Sequence, residues 1–590
     1  MGISHKWRLS LLFAVLIATV PLLGVRLAML LSEGQERAQK LVQRQHRKVV
    51  VEPARPGNIF GRSRHRYILL AGSKQVPSCY ADPSLLRDPG LRCETAARLS
   101  AVLGMPVEQI LEILASRDDS QFVWLKRGIS GEEEKAVGEL RINAVGVTYE
   151  WRREYPNGSL AASVVGFRLR DNNPGGGLEL SQDAYLAARD GKTVLLADAL
   201  RRPIRAIPDQ SIPPQDGNHV FLTLDPVIQG YLEQAVGESV EKFSAKWGVG
   251  VVVNPQTGEI LAMCSVPSFD PNNFTQADPP NRTNRAMTVP YEPGSVFKPL
   301  MAAMVVDAGL MDYQTQIFCE NGTYHASRGG RISDHGNSYG WLSLTDVVVH
   351  SSNIGMAKVG EKLGNQAMYS ALKKYGFGER TGIDLPGESP GIVRDMHKWD
   401  GYSMRRVPFG QEISATTVQL TMAFSALANR GLLMQPRLVD MVTDANGQVV
   451  YRLGPKVVRR VVSPESAAAT LAVMRQVVER GTGTNCKIEG YSVFGKTGTA
   501  QIPGPSGYEQ GAYIGSFVGG APVNDPRLVC MISIYWPQRS KGYYGSTVAA
   551  PYVKQVLDRT LRYLNVPPNQ QDGTANRPAD LEANQGERLD

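Results

Sequence analysis

The sequence predicts an α+β fold, on three observations. Apolar strand-like runs pair as hairpins near both ends of the second half of the chain, and apolar helical stretches lie between them. A first half of mixed strands and helices precedes them. A length of 590 residues implies more than one domain, and an apolar fraction of 42% supports ordinary globular cores.

Taken in order, the first element suits a membrane. Residues 9–25 are almost uninterrupted apolar sequence, and Leu27-Ala28-Met29-Leu30-Leu31 follows Arg26. That length spans a bilayer, with Arg26 snorkelling towards the interface. No small-x-small cleavage site closes the apolar core, so residues 1–31 read as a cytoplasmic tip and an uncleaved transmembrane anchor. Residues 32–50 are a charged, Gln-rich juxtamembrane stalk. A pedestal of mixed strands and helices takes 51–215, and Ile212-Pro213-Pro214-Gln215-Asp216-Gly217 reads as its linker to the next domain, 216–566. That domain opens with a hairpin, 248–253 and 259–265, around a turn at Pro255 to Gly258. A second hairpin joins 515–519 to 528–533 through Asn524-Asp525-Pro526, and 547–564 is a closing helix. The tail, 567–590, has the Pro, Asn, Gln and charge of a disordered segment.

The formal charge of +8 and pI near 9.0 suit an anionic surface, membrane or wall. No zinc spacing, recognition motif or aromatic-basic platform supports nucleic acid as a partner. Six cysteines are scattered without metal spacing, and neither metal nor cofactor is expected. Cys79 and Cys93 leave a disulfide outside the membrane open, whereas Cys264 and Cys530 sit in apolar runs and read as buried thiols.

Three short motifs carry chemistry. Ser295-Val296-Phe297-Lys298 follows Tyr291-Glu292-Pro293-Gly294 and opens an apolar run, so Ser295 is placed at a helix N-terminus, where free N–H groups favour developing negative charge. Lys298 falls three residues on, on the same face. A serine hydroxyl needs a neighbouring base, and Lys298 serves only if burial or a second cation holds it neutral. Ser351-Ser352-Asn353 offers a hydroxyl and an amide at alternate positions, able to face one cavity. Lys496-Thr497-Gly498-Thr499 lies in a strand-like run, where Lys496 and the two threonine hydroxyls suit a carboxylate and Gly498 suggests close approach of another backbone or a ligand. Each alone has a bland alternative: a helix cap with a solvated lysine, a polar turn between helices, an exposed edge-strand lysine. A second Ser-x-x-Lys, Ser239 to Lys242, lies on a polar helical stretch, and Arg380-Thr381-Gly382 lacks strand context.

Taken jointly, the bland alternatives lose. The order and spacing of the motifs resemble those of the penicillin-recognising serine acyltransferases, with Ser-Ser-Asn where Ser-Asp-Asn also occurs. Within that superfamily the chain resembles the class B penicillin-binding proteins over roughly residues 50–565. The resemblance is carried by Leu222-Thr223-Leu224-Asp225-Pro226, Asn254-Pro255-Gln256-Thr257-Gly258, Gly382-Ile383-Asp384-Leu385-Pro386-Gly387-Glu388 and Gly410-Gln411-Glu412, and in the pedestal by Arg153-Glu154-Tyr155-Pro156 and Gly177-Leu178-Glu179-Leu180. One departure is Gly61, where the pedestal's opening pattern has Asp.

The resemblance implies a penicillin-binding-protein/β-lactamase-like transpeptidase domain, an antiparallel sheet covered by helices, behind an extended pedestal. It implies a peptidoglycan D,D-transpeptidase with Ser295 as nucleophile, Lys298 as base, Ser351 as proton relay and Asn353 positioning lysine and substrate. Lys496, Thr497, Gly498 and Thr499 form the substrate-binding strand. Implied partners are stem peptides, β-lactam antibiotics, the lipid bilayer, and a polytopic membrane glycosyltransferase with other division proteins, since the class B pattern includes no glycosyltransferase. Lys6 and Arg8 precede the span while Arg37, Lys40, Arg44, Arg47 and Lys48 follow it, so a count of positive charge argues against export. A wall substrate and the ease with which large domains translocate place the catalytic domain outside the inner membrane instead. Division fits better than elongation. A β-lactamase or β-lactam sensor shares the fold, but the long pedestal argues against both; a silent division scaffold is opposed by the complete motif set.

Overall fold

Hairpins build the sheet that carries the motifs. The computed structural model describes residues 3–45, 47–64, 66–197, 203–206, 208–326, 330–504 and 507–570, so most of the expected tail lies outside the described residues. Trp247–Val253 pairs antiparallel with Ile260–Val266, and Gly507–Ala521 with Leu528–Tyr535, as the two hairpins predict. The strand order is Ile260–Val266, Trp247–Val253, Leu528–Tyr535, Gly507–Ala521, Phe494–Gly504, antiparallel throughout. Phe494–Gly504, with Lys496 to Thr499, is therefore an edge strand.

Helices cover both faces of this sheet. Pro226–Lys242 and Ala550–Tyr563 pack Leu232, Val236, Val553 and Leu557 against Val252, Phe517 and Ile532. On the other face Thr417–Ala428 and Lys298–Asp307 bring Leu420, Phe424 and Met301 to Val251, Val518 and Met531. Burial on two sides explains why Leu528–Tyr535 is buried at every position but its last and does not alternate. Asp225 caps the helix Pro226–Lys242 by accepting from Val227 N at 2.8 Å, which gives the Asp225-Pro226 pair its role. The expected closing helix is broken at Ala549 into Gly545–Val548 and Ala550–Tyr563, where Pro551 begins a new first turn. Ser239 is fully buried and donates to Val548 O, so this Ser-x-x-Lys is core packing, not the polar surface its sequence suggests.

The chain divides into two compact units. The residues read as one pedestal are shared between them: 56–76 and 152–187 fold with 218 onward. Ile59–Arg62 runs parallel to His219–Leu222, which pairs with Val439–Thr443. A Cβ at Gly61 would lie 2.6 Å from Pro226 Cγ, which accounts for the missing Asp; Arg62 still pairs with Glu259 at 3.0 Å. In the same unit Glu179, fully buried, accepts from Arg153 Nε and Arg168 Nε, both at 2.6 Å.

The other unit begins with the helix Ile3–Gln45, whose segment Trp7–Leu30 has a mean hydropathy of 2.3 and no burial within the chain. The residues read as a stalk continue this helix to Gln45 and then form the strand Arg47–Glu52, paired with Gly191–Ala197. Its core gathers Leu99, Leu103, Ile110, Leu114, Val123 and Val137 from three helices and a strand. Cys79 is buried and Cys93 exposed, and both are free thiols.

Candidate active site

Ser295 lies in the 3-10 turn Gly294–Phe297, which runs directly into the helix Lys298–Asp307 with Pro299 in its first turn. The turn is held from two sides. Gly294 N donates to Gly410 O at 3.0 Å, and Tyr291 exchanges two backbone hydrogen bonds with Ala415, so the Gly410-Gln411-Glu412 segment backs the serine. From the other side comes the edge strand: a Cβ at Gly498 would lie 2.4 Å from Val296 Cγ2. The close approach expected at Gly498 is thus to the serine's own turn.

Lys298 is fully buried. Its Nζ donates to Asn353 Oδ1 at 2.8 Å, to Ser351 Oγ at 3.1 Å and to the Ser351 carbonyl. Lys496, also fully buried, donates from Nζ to the same Ser351 Oγ at 3.0 Å and to Thr497 O at 3.2 Å. One hydroxyl therefore stands between two lysines. Ser351 holds it there with a backbone φ of +63°, a strained choice for a residue with a side chain. Among the described residues no hydrogen bond joins Lys298 Nζ to Ser295 Oγ, although the three-residue spacing places both on one face.

Burial, and after it the nearby Lys496 charge, pushes Lys298 well below the ordinary lysine value, with Asp334 opposing. Burial alone brings Lys496 down to about 7. Neither lysine makes an ion pair among the described residues, so desolvation acts on them without a counter-charge in contact.

Asp334 was invisible to motif reading. Its carboxylate accepts from Asn353 N at 2.6 Å, Ile354 N at 3.1 Å and the Ser352 hydroxyl at 2.8 Å, capping the helix Asn353–Tyr375. Ser352 Oγ also accepts from Gly355 N, so the middle residue of Ser-Ser-Asn is the helix cap. Asn353 Nδ2 donates to Ser333 O at 3.0 Å, which fixes its amide with the oxygen towards Lys298. Ser352 thus takes the cap of the turn, while Ser351 and Asn353 turn their side chains to Lys298.

Thr497 Oγ1 lies 2.7 Å from Thr482 Oγ1, a partner no motif announces, and Thr499 Oγ1 accepts from Gly545 N at 3.2 Å. Lys496, Thr497 and Thr499 thus line one stretch of edge strand with a cation and two hydroxyls. Arg380-Thr381-Gly382 is a loop, with Thr381 and Gly382 held by Glu388, away from this strand. Among the described residues no group of three His, Cys, Asp or Glu side chains is arranged to hold a metal.

Known proteins resemble this chain along most of its length. Residues 248–558 match the penicillin binding protein transpeptidase domain, and residues 51–173 the penicillin-binding protein dimerisation domain. The chain is 32% identical to stage V sporulation protein D of Bacillus subtilis, over 88% of this chain and 80% of that one. It is also 32% identical to the probable peptidoglycan D,D-transpeptidase PbpC of Pseudomonas aeruginosa, over 86% of this chain and 87% of the relative. Among solved structures, penicillin binding protein 3 of Mycobacterium tuberculosis, complexed with aztreonam, superposes with a TM-score of 0.69 at 29% identity, covering 88% of this chain and 98% of the other. With a transpeptidase domain over half its length and relatives of this identity and coverage, the chain belongs to the class B penicillin-binding proteins, serine-type peptidoglycan D,D-transpeptidases.

Proposed function

We propose that Ser295 is the acylated nucleophile of this transpeptidase, with Lys298 as its base. The observation that carries the reading is Ser351 Oγ, within 3.1 and 3.0 Å of two fully buried lysines that no carboxylate among the described residues touches. A scaffold gains nothing from such a pair, whereas acyl transfer needs one neutral amine and one cation. Neutral Lys298 takes the Ser295 proton as Oγ bonds to the penultimate D-Ala carbonyl carbon. The C–N bond to the terminal D-alanine then breaks, and Ser351 passes the proton to the leaving amine. An amine of a neighbouring stem reverses these steps and releases the cross-linked product. Asn353 Oδ1 orients Lys298, and Lys496 with Thr497 and Thr499 seats the terminal carboxylate through charge-assisted hydrogen bonds. The Lys298–Ser295 contact forms on donor binding, as catalytic hydrogen bonds often do.

The same chemistry makes the protein penicillin-sensitive, in keeping with a relative whose structure holds aztreonam. Fluorescent-penicillin labelling and intact-mass spectrometry should give one adduct, on the peptide containing Ser295. An adduct retained in Ser295→Ala would overturn the assignment.

The helix Ile3–Gln45 anchors the protein by its Trp7–Leu30 span, with the catalytic unit on the outer face of the inner membrane. A reporter active only in the cytoplasm, fused after Asp590, should stay silent. The proposed setting is septal synthesis beside a polytopic glycosyltransferase and other division proteins. It rests on the short path from Asp384-Leu385-Pro386-Gly387-Glu388 through Trp399 to Phe409-Gly410-Gln411, which resembles division-type enzymes. Depletion should block division while growth continues; loss of cell shape with sidewall localisation would favour elongation.

A further inference from the structure

Asp334 lies outside all three motifs and holds the middle one from behind. Its carboxylate accepts from Asn353 N at 2.6 Å, Ile354 N at 3.1 Å and the Ser352 hydroxyl at 2.8 Å. The residue before it, Ser333, accepts from Asn353 Nδ2 at 3.0 Å. One dipeptide therefore grips Asn353 by its backbone and by its side chain, which leaves Oδ1 facing Lys298 Nζ at 2.8 Å. The dipeptide is anchored in turn, because Gly330–Ser333 is a strand paired with Thr323–Ala326.

Ser351, just before the gripped residues, has a backbone φ of +63°, a conformation a serine keeps only where its surroundings impose it. The hydroxyl held in this way is the one between Lys298 and Lys496. Ser352 stands where the related Ser-Asp-Asn motif carries a carboxylate, and its own hydroxyl turns to Asp334. With its oxygens taken by Asn353, Ile354 and Ser352, Asp334 acts on the lysines through space and not through contact. Burial lowers Lys298 most and Lys496 next, and Asp334 is the group that opposes them. The side chains that touch Lys298, those of Ser351 and Asn353, are neutral.

Resting on the reading of Lys298 as base, we propose that Asp334 is a positioning residue for acylation. From outside Ser-Ser-Asn it supplies the carboxylate that holds Ser351 and Asn353 at Lys298 and offsets one of the two lysine charges. It touches neither the substrate nor the reacting atoms.

Charge and grip separate in two variants. Asp334→Asn keeps the shape, and its Oδ1 can go on accepting from Asn353 N and Ile354 N, but the charge is gone. Lys298 then gives up its proton at lower pH. Asp334→Ala removes the grip as well. The test follows acylation of the full chain by benzylpenicillin across a series of pH values, with the second-order rate as readout. In Asp334→Asn the acidic limb should move to lower pH, so that the rate near about pH 5, relative to the maximum, rises about threefold or more. The alkaline limb should stay, because burial alone sets Lys496. In Asp334→Ala the acidic limb should move likewise, and the maximum should fall about tenfold or more as Ser351 and Asn353 lose their placement. An acidic limb unmoved in both variants, two limbs that move together, or a wild-type maximum in Asp334→Ala would overturn the proposal. The underlying reading fails separately, if Ser295→Ala is still acylated by benzylpenicillin.

Discussion

Two clusters of buried charge lie in the same unit and solve opposite problems. Around Glu179, each carboxylate oxygen takes one guanidinium, Arg168 also reaches Asp183 at 2.7 Å, and Arg153 reaches Gly57 O at 2.6 Å. Two cations face two anions, and the pairs tie segments distant in sequence. Around Ser351, two buried lysines share one neutral hydroxyl, with no carboxylate in contact among the described residues. Asp334 is near enough to raise Lys298, but its oxygens are spent on Asn353 N, Ile354 N and Ser352. Balanced charge gives a clamp for the chain. Unbalanced charge gives amines that shed protons more readily than ordinary lysines, which is what acyl transfer by a lysine base requires.

The comparison breaks most sharply on one substitution in each cluster. Lys298→Arg should lower penicillin acylation by about 10²–10⁴-fold while the fold persists, because arginine keeps the charge but cannot act as a base. Wild-type acylation by this variant, followed by intact-mass spectrometry, would mean the lysine is structural. Glu179→Gln should do the reverse. Leaving Arg153 and Arg168 without their shared carboxylate should cost about 3–5 kcal/mol in urea unfolding. The folded fraction should still acylate normally, and a selective loss of acylation would merge the two clusters into one function.

Much of the proposed acylation site is written in three short segments, because the roles proposed for nucleophile, base, relay and anion seat each need particular atoms. Ser295, Lys298, Ser351, Asn353 and Lys496 are therefore visible as motifs, and the structure links the last four in one chain of hydrogen bonds, Asn353 to Lys298 to Ser351 to Lys496. What the motifs hide is supplied by residues whose chemistry is ordinary. Asp334 is a helix cap contributed by a preceding loop, Thr482 meets Thr497 from another segment, and nothing in either sequence context marks it. The burial of Lys496 was hidden for a different reason. An edge-strand lysine reads as solvated, and it is the packing of the turn Gly294–Phe297 and the helix Pro464–Arg480 against that strand, with Ser351 at the amine, that buries it. The hairpins and covering helices were legible from apolar patterning. The sharing of residues 51–215 between two units was not, since it depends on Ile59–Arg62 pairing with His219–Leu222, a long-range parallel contact.

A smaller effect sharpens the contrast in stability. Lys496→Met should raise unfolding stability at pH 7 by about 1–4 kcal/mol, as replacing a buried charge by an apolar chain of similar volume often does. The sign follows from linkage. Both lysines have folded-state values below their ordinary one, so between about pH 7 and the ordinary lysine range the folded protein binds fewer protons than the unfolded chain. Wild-type stability should therefore rise with pH across that window, and Lys496→Met should flatten the rise. Urea midpoints at three pH values would show it; a destabilised Lys496→Met would place that lysine with the balanced cluster instead.

The finest expected effect is the shape of the pH profile for acylation. As the proposed base, Lys298 works only when neutral, so acylation should climb with pH through its depressed value. As the proposed anion seat, Lys496 holds a carboxylate only when charged, so acylation should decline as pH passes about 7, where burial has brought its own value. Wild type should give a bell whose alkaline limb belongs to Lys496. Arginine at that position stays protonated throughout the range, so Lys496→Arg should lose the alkaline limb and keep the acidic one, at a maximum reduced by about tenfold for imperfect fit. Acylation by a penicillin, which carries the carboxylate, should show this change. If the alkaline limb survives in Lys496→Arg, the declining group is elsewhere, and the two lysines do not divide the labour of base and cation.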